Sequence, residues 1–507
     1  MSSKHKFPSR LKPTPTPLLI LQLCATSLAD PIRVHPVNPH YFEYDGRLLV
    51  LVSSDQHYGA VIDGEFDYAK YLTELRRHGM NVTRIYPGAM FEPQDKFVPG
   101  NPLGPRPGKH VLPWAKSTQP GANPALAEPG QASFKFDLDR WNDSYFDRLR
   151  SFVALAQKLG IIVEVVFFNG MYADCWPLMP MYHRNNIQGV GRYEPEECGL
   201  FTTTDPKNSD VITYQKAYVS KITRELNKFD NVIYDICDEP SLQGLPDGKI
   251  RILPDEKVAP WIRVMKDAFM EAEHALPKKH LLGQTVENLS PDFSDEDWCK
   301  WLPTEYVKPS GKALDRHYGD NKPLVVVESD YFGGALVKPY TVDDVRVEGW
   351  WFMLRGGAGF INLNGEYYRG NETGGDLTKK YLIPQKMILR QFLESFDLLS
   401  MKPFAEVKLP ASGGQAVALA EPGRQYAVYL FRAGDDGQWG AHFSAKPGSY
   451  QDTLVIEKVP PGTYKVEWLD PTSGITLQTQ SSHWNGGDLC LTSPIYSLDI
   501  ALRIVRK

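Results

Sequence analysis

The sequence predicts an α/β fold, a (β/α)8 TIM barrel followed by a C-terminal antiparallel β-sandwich. Three observations predict it. Strand-like and helix-like segments alternate from Arg47 to Leu399, and the long insertions follow strands whereas the turns after helices are short. That asymmetry is expected of a barrel whose loops gather at one rim. Beyond Lys402 the pattern changes to short alternating runs broken by Pro-Gly and Asp-Gly turns, as antiparallel strands require. The 507 residues accommodate a barrel and a smaller domain, with boundaries at 1–29 for a leader, 30–402 for the barrel and 403–507 for the sandwich.

Arg47 to Ser54 reads as the first strand, and Asp67 to His78 carries apolar residues at helical spacing that end at Gly79. Asn81 to Tyr86 is the second strand. A Pro- and Gly-rich stretch from Phe91 to about Arg140 is far longer than a connection needs, and reads as a rim excursion covering a cleft. Ser144 to Leu159 is an amphipathic helix and Ile161 to Phe168 a buried third strand. A second long loop, Gly170 to Ser209, precedes the helix Asp210 to Phe229.

The fourth strand, Asn231 to Glu239, ends in Asp238-Glu239-Pro240. Alternation sends Asp235, Cys237 and Glu239 to one face and Asp238 to the other, and Pro240 is expected to stop the ladder. Val258 to Leu276 is helical, His280 to Val286 is the fifth strand, and Lys300 to Val307 is a weaker sixth. A short helix within Lys312 to Asn321 precedes Pro323-Leu-Val-Val-Val-Glu-Ser-Asp330, the β-branched run of a strand buried on both faces. Tyr340 to Arg355 is helical, Ala358 to Leu363 is the eighth strand, and Ile383 to Leu399 is the last helix. Eight strands are counted, each followed by a helical segment. An open doubly wound sheet would want a glycine-rich phosphate turn after its first strand, and Ser53-Ser54-Asp55-Gln56-His57 supplies none.

In the C-terminal part, strands are expected at Ala416 to Ala420, Gln425 to Arg432, Thr453 to Lys458, Thr463 to Trp468, Ile475 to Gln480 and Leu498 to Val505. Nothing there forms an aromatic platform, so the sandwich reads as a companion covering barrel surface rather than a carbohydrate-binding module.

Lys4, Lys6, Arg10 and Lys12, the apolar segment Pro17 to Ala25, and Ser27-Leu28-Ala29 have the layout of a secretory leader cleaved after Ala29, which implies a secreted or periplasmic protein. Cys24 would leave with it. Of the five remaining cysteines, Cys175 and Cys198 share one long loop, where a disulfide is open. Cys237, inside a strand, reads as packing. A net charge of -5 with a pI near 6.2 gives no basic surface for nucleic acid. No other apolar run reaches membrane-spanning length, and no Cys-x-x-Cys or His-x-x-x-His spacing suggests a structural metal.

If the barrel closes, Glu239 ends the fourth strand and Glu328 the seventh, both at the face where barrel enzymes keep their active sites. Two carboxyls across a rim suit glycosidic cleavage, one held protonated for the leaving oxygen and the other ionised for attack on the anomeric carbon. His57 and Asn169, at the ends of the first and third strands, are candidate sugar hydroxyl ligands. Tyr58, Tyr86, Trp176, Tyr331 and Trp350 are candidates for stacking on sugar faces, each with core packing as its plainer role. Glu287, Glu305 and Glu366 also stand near strand ends, so position alone does not single out a glutamate.

Asp238-Glu239-Pro240, Glu328 and Arg84 together resemble clan A of the glycoside hydrolases, the retaining barrel enzymes that include cellulase-like family 5. The resemblance implies a hydrolase acting on carbohydrate by double displacement without metal or organic cofactor. It implies Glu239 as acid/base, Glu328 as nucleophile, Arg84 as the residue steadying the nucleophile and Tyr306 as its hydrogen-bond donor. Asp238 stands where the clan usually has Asn, Thr304 where a histidine is frequent, and Asn362 and Asn364 where a tryptophan commonly floors the sugar site. Those departures leave a carbohydrate-binding barrel without catalysis as the alternative, and an inverting enzyme using Asp55 or Glu366 as a third reading.

Overall fold

The computed structural model describes residues 30–306, 313–329, 340–410, 413–435 and 443–507. The leader at 1–29 and Tyr331 lie outside them. Eight parallel strands form the barrel: Leu51–Asp55, Val82–Ile85, Ile162–Met171, Val232–Gly244, Leu282–Gly283, Leu302–Glu305, Leu324–Glu328 and Gly359–Leu363. All are buried along their whole length, which is why a strand such as Leu324–Glu328 reads as a continuous apolar run instead of an alternating one.

Pairing links the second to the fifth strand in one sheet, and the sixth, seventh, eighth and first in another. Two seams close the ring. Parallel bridges Gly283↔Trp301 and Val286↔Thr304 join the fifth strand to the sixth. Between the first and second strands, side chains supplement a sparse backbone pairing in which Asn81 N donates to Val52 O at 3.3 Å: Asn81 Oδ1 accepts from Val52 N at 2.9 Å, Asn81 Nδ2 donates to Val50 O at 2.8 Å, and Gln56 Nε2 donates to Arg84 O at 3.1 Å.

Four expectations are corrected. Arg47 to Ser54 is two strands split at Val50, because Arg47–Leu49 pairs with Phe42–Tyr44 in a small N-terminal sheet. The fifth strand connects to the sixth without a helix among its residues, so not every strand is followed by one. Pro240 does not stop the fourth strand, which runs on to Gly244 and turns back through Ile250–Ile252 as a hairpin. Nor does strict alternation survive: Glu239 has φ 44°, and the register to the third strand shifts between Asn169 and Met171, so Asp238 and Glu239 both reach the barrel mouth. Gly170 permits this bulge, since a Cβ there would sit 2.3 Å from Glu239 O.

The 91–140 stretch holds a hairpin of Trp114–Pro120 and Phe134–Trp141, and its beginning lines the mouth through Glu92 and Phe97. Cys175 and Cys198 are both free and buried, which closes the disulfide question. Among the described residues, no helix is long and apolar enough to cross a membrane.

After Lys402 come a six-stranded and a three-stranded antiparallel sheet, containing all six expected strands and Gly487–Thr492 besides. Strand Gln425–Phe431 is buried on both faces. Tyr426, Val428 and Leu430 enter a cluster with Leu454, Ile456 and Leu489 of the smaller sheet, while Ala427, Tyr429 and Phe431 join the barrel core. The junction is fixed by Tyr429 stacked on Trp350 with centroids 5.2 Å apart. Arg346 completes it, giving Nε and Nη2 to the Asp499 carboxylate at 2.8 and 3.0 Å. Trp350 is thereby a junction residue with no face for a sugar.

Candidate active site

The site is built around Arg84, a fully buried cation. Its side chain rises from the second strand beside Glu164 of the third, whose backbone it faces in register, and Nε donates to Glu164 Oε1 at 3.0 Å. The Nη1 and Nη2 groups then reach Asp238 at 3.3 and 3.2 Å, Glu305 at 3.3 Å, Glu328 at 3.5 Å and Asp235 at 3.6 Å. The rings of Tyr58 and Tyr86 lie 4.9 and 5.6 Å from its guanidinium carbon. Oxygens of Asp238, Glu305 and Glu328 stand within 4.8 Å of one another, a grouping that resembles a metal site but is served by this guanidinium.

One positive charge cannot neutralise five buried carboxyls, so protons must supply the rest. Burial pushes Glu164 up to about 8 and Asp235 up to about 7, with Arg84 pulling the other way. Asp238 is the exception. Burial opposes its ionisation, yet the Arg84 charge and hydrogen bonds from Glu305 and Tyr86 prevail and hold it below the usual carboxylate range. Glu305 is pushed well above its ordinary value by burial and by the Asp238 charge, so it stays protonated and donates to Asp238.

Glu328 and Glu239 share a cavity of about 240 Å³ at the C-terminal rim. Glu328 Oε2 accepts from Tyr58 Oη at 2.6 Å, and Oε1 accepts from the Tyr306 hydroxyl. Burial and the Asp238 charge raise this carboxyl to about 7, while Arg84 and the two tyrosines restrain it. Glu239 is held by Asn288, whose Nδ2 donates to Oε1 at 2.9 Å. Burial first, then the charges of Asp238 and Glu328, push Glu239 well above its ordinary value. The two carboxyls are thus differentiated by their partners: one has three donors to stabilise an anion, the other a single amide donor against burial and two like charges that favour the acid.

Backbone strain collects at the same place. Tyr58, Glu239 and Tyr306 have φ of 49°, 44° and 47°, a region that costs a non-glycine residue about 1–3 kcal/mol. Such strain persists where the surrounding fold over-determines it, and here it turns three polar side chains into one cavity.

Among the sequence-predicted residues, Arg84, Asp238, Glu239, Tyr306 and Glu328 come together. His57 and Asn169 line the same cavity, His57 Nε2 lying 3.2 Å from Glu92 Oε2 and Asn169 Nδ2 lying 3.2 Å from both Asp238 and Tyr86. Trp176 does not join them. It is fully buried, stacked on Tyr193 at 4.5 Å with Nε1 bonded to Tyr193 O, so it offers no face to a sugar. Asp55 is tied to Tyr71, Thr83 and Arg84 N inside the barrel, and Glu366 accepts from Thr378 N at 2.8 Å, so neither is free for the inverting scheme.

Four contributors were not assigned their roles by sequence. Tyr58 and Tyr86 serve through their hydroxyls, with their rings against the Arg84 guanidinium; Tyr86 donates to Asp238. Asn288 follows the fifth strand without any motif. Glu305 was visible as a strand-end glutamate, and its place immediately before Tyr306 was the available signal.

No family model matches the chain, and no curated protein matches it. Solved structures do. One described as a glycoside hydrolase superposes with a TM-score of 0.58 at 12% identity, covering 94% of this chain and 97% of the other. A glycoside hydrolase family 5 structure from Bacteroides vulgatus ATCC 8482 gives a TM-score of 0.56 at 12% identity and 94% coverage of each chain. Over nearly all its length, this chain therefore has the cellulase-like fold of these glycoside hydrolase structures.

Proposed function

We propose that the protein is a retaining glycoside hydrolase that cleaves O-glycosidic bonds of an oligo- or polysaccharide. The observation that carries this reading is the pair of differently held carboxyls opening on one cavity, with Glu328 under three donors and Glu239 kept acidic by its neighbours. Glu328, ionised, attacks the anomeric carbon while the Glu239 proton passes to the departing oxygen. Glu239, now ionised, then takes a proton from the water that releases the sugar from Glu328. Arg84, Tyr58 and Tyr306 hold the attacking carboxylate. His57, Asn169 and Asp238 stand where sugar hydroxyls would reach them. The chemistry calls on carboxyl groups alone.

In the same proposal, 1–29 is an export leader and the protein is secreted or periplasmic. The barrel is the catalytic domain up to residue 402. Residues 403–507 are a β-sandwich whose larger sheet shields barrel helices, a role supported by the doubly buried strand Gln425–Phe431.

The test is a panel of 2-deoxy-2-fluoroglycosyl fluorides followed by peptide mass analysis. The expected result is one covalent adduct per chain at Glu328. Labelling elsewhere would reassign the nucleophile. Reversible binding of oligosaccharides with no adduct and no turnover would favour the carbohydrate-binding alternative.

A pH measurement probes the altered residue before Glu239. The Asp238 charge raises both Glu239 and Glu328. In Asp238→Asn that charge is gone, so both limbs of the kcat/KM profile are expected at lower pH than in the wild type, the acidic limb reporting Glu328 and the basic limb Glu239. A profile that stays put would remove Asp238 from the electrostatics of the pair.

A further inference from the structure

Asn288 bridges two carboxyls. Its Nδ2 donates to Glu239 Oε1 at 2.9 Å and to Glu305 Oε2 at 3.2 Å. The backbone on either side is bent to put it there: Glu287 has φ 75° and Leu289 φ 42°, and Leu289 O accepts from Ser241 N at 2.8 Å, tying this turn to the fourth strand just past Glu239. Glu305, fully inside the barrel, is in turn fixed by Arg84 Nη2 and by its hydrogen bond to Asp238.

We propose that Asn288 and Glu305 are positioning residues that fix which oxygen of Glu239 carries the acidic proton, Asn288 by occupying Oε1 and Glu305 by anchoring the Asn288 amide. An oxygen already accepting an amide N–H is the one least suited to hold the proton, so the proton resides on Oε2, the oxygen left to face a leaving group. Glu305 does this as a neutral acid: it donates to Asp238 and accepts from Asn288, both of which a glutamine can do. The inference rests on the glycosidase reading and deepens it.

The experiment compares Asn288→Ala, Glu305→Ala and Glu305→Gln on pairs of aryl β-glycosides, phenyl against 2,4-dinitrophenyl, of each sugar the wild type accepts. Loss of the bridge is expected to lower kcat/KM, which reports the step in which Glu239 gives its proton, on phenyl glycosides by on the order of 10–100-fold. Dinitrophenyl glycosides, whose leaving group needs no proton, should change in kcat/KM by less than about 3-fold. Glu305→Gln should restore most of what Glu305→Ala loses. A loss equal on both leaving groups, or a Gln variant as impaired as the Ala variant, overturns the proposal.

A second readout needs no turnover. In protein labelled with 13C at glutamate carboxyls, the Glu239 resonance, identified by its absence in Glu239→Gln, should titrate higher in Asn288→Ala, because a donor to the carboxylate form is lost. An unmoved titration overturns the bridge even if every glycoside proves inert, whereas inert glycosides with a moved titration count against the glycosidase reading alone. Asn288 is only half-buried, so its alanine variant keeps the test open if Glu305→Ala fails to fold.

Discussion

Glu328→Gln is expected to abolish turnover, lowering kcat by on the order of 10^5-fold, while the barrel stays folded. The amide keeps the shape of the side chain and can still accept from Tyr58 and Tyr306, so packing at the seventh strand is retained. What it cannot do is attack carbon. Stability gives a second check with a definite sign. Burial and the Asp238 charge raise the wild-type carboxyl from 4.5 to about 7. The native state therefore binds this proton more tightly than the unfolded chain, and the stability it contributes is complete below pH 4.5 and is lost as pH climbs through 7. Glutamine stays neutral throughout and escapes that loss. Melting temperatures measured across this range should show the variant gaining on the wild type as pH rises. Turnover retained at the wild-type rate would end the nucleophile assignment, and a gain independent of pH would mean that Glu328 is not buried against like charge.

The barrel was legible because burial on both faces leaves a coarse mark: apolar, β-branched runs such as Leu324 to Val327 admit few other readings, and amphipathic helices separate them. The failures come from interactions between elements. That Pro240 would not end its strand depends on a hairpin partner, Ile250–Ile252, whose pairing residues are separated from it by a turn. That Glu239 would leave the alternation depends on a positive φ stabilised by neighbours, and on Gly170 of another strand making room. Periodicity carries no record of either. Among site residues, acids at strand ends could be found by position. Of the tyrosines chosen as stacking faces, Tyr58 and Tyr86 use their hydroxyls on Glu328 and Asp238, and at Tyr58 the direction of the ring is set by a positive φ, not by residue type. Trp176 and Trp350 show the converse: large aromatic side chains in a chain of this size find core or junction partners first.

Arg84→Met should be the most destabilising single change in the site. Methionine fills much of the volume but leaves the carboxyls of Glu164, Asp235, Asp238, Glu305 and Glu328 without their common cation. Removing one partner of a buried ionic cluster costs about 3–5 kcal/mol, because the remaining charge is stranded in a medium that solvates it poorly. The expected loss depends on pH, and its sign follows from the protons already present. Glu164 and Asp235 titrate at about 8 and 7 with Arg84 in place. Arg84 pulls both values down, so without it both move further up, and the native state of the variant demands more protons than the unfolded chain. Protons are plentiful in acid, where the variant should approach the wild type; they are scarce above pH about 8, where the gap should be widest. Urea denaturation at the two extremes measures this directly. A penalty that is small and equal at both would mean the carboxyls do not need the guanidinium, and the electrostatic account of how Glu239 is kept acidic and Asp238 ionised would fall with it.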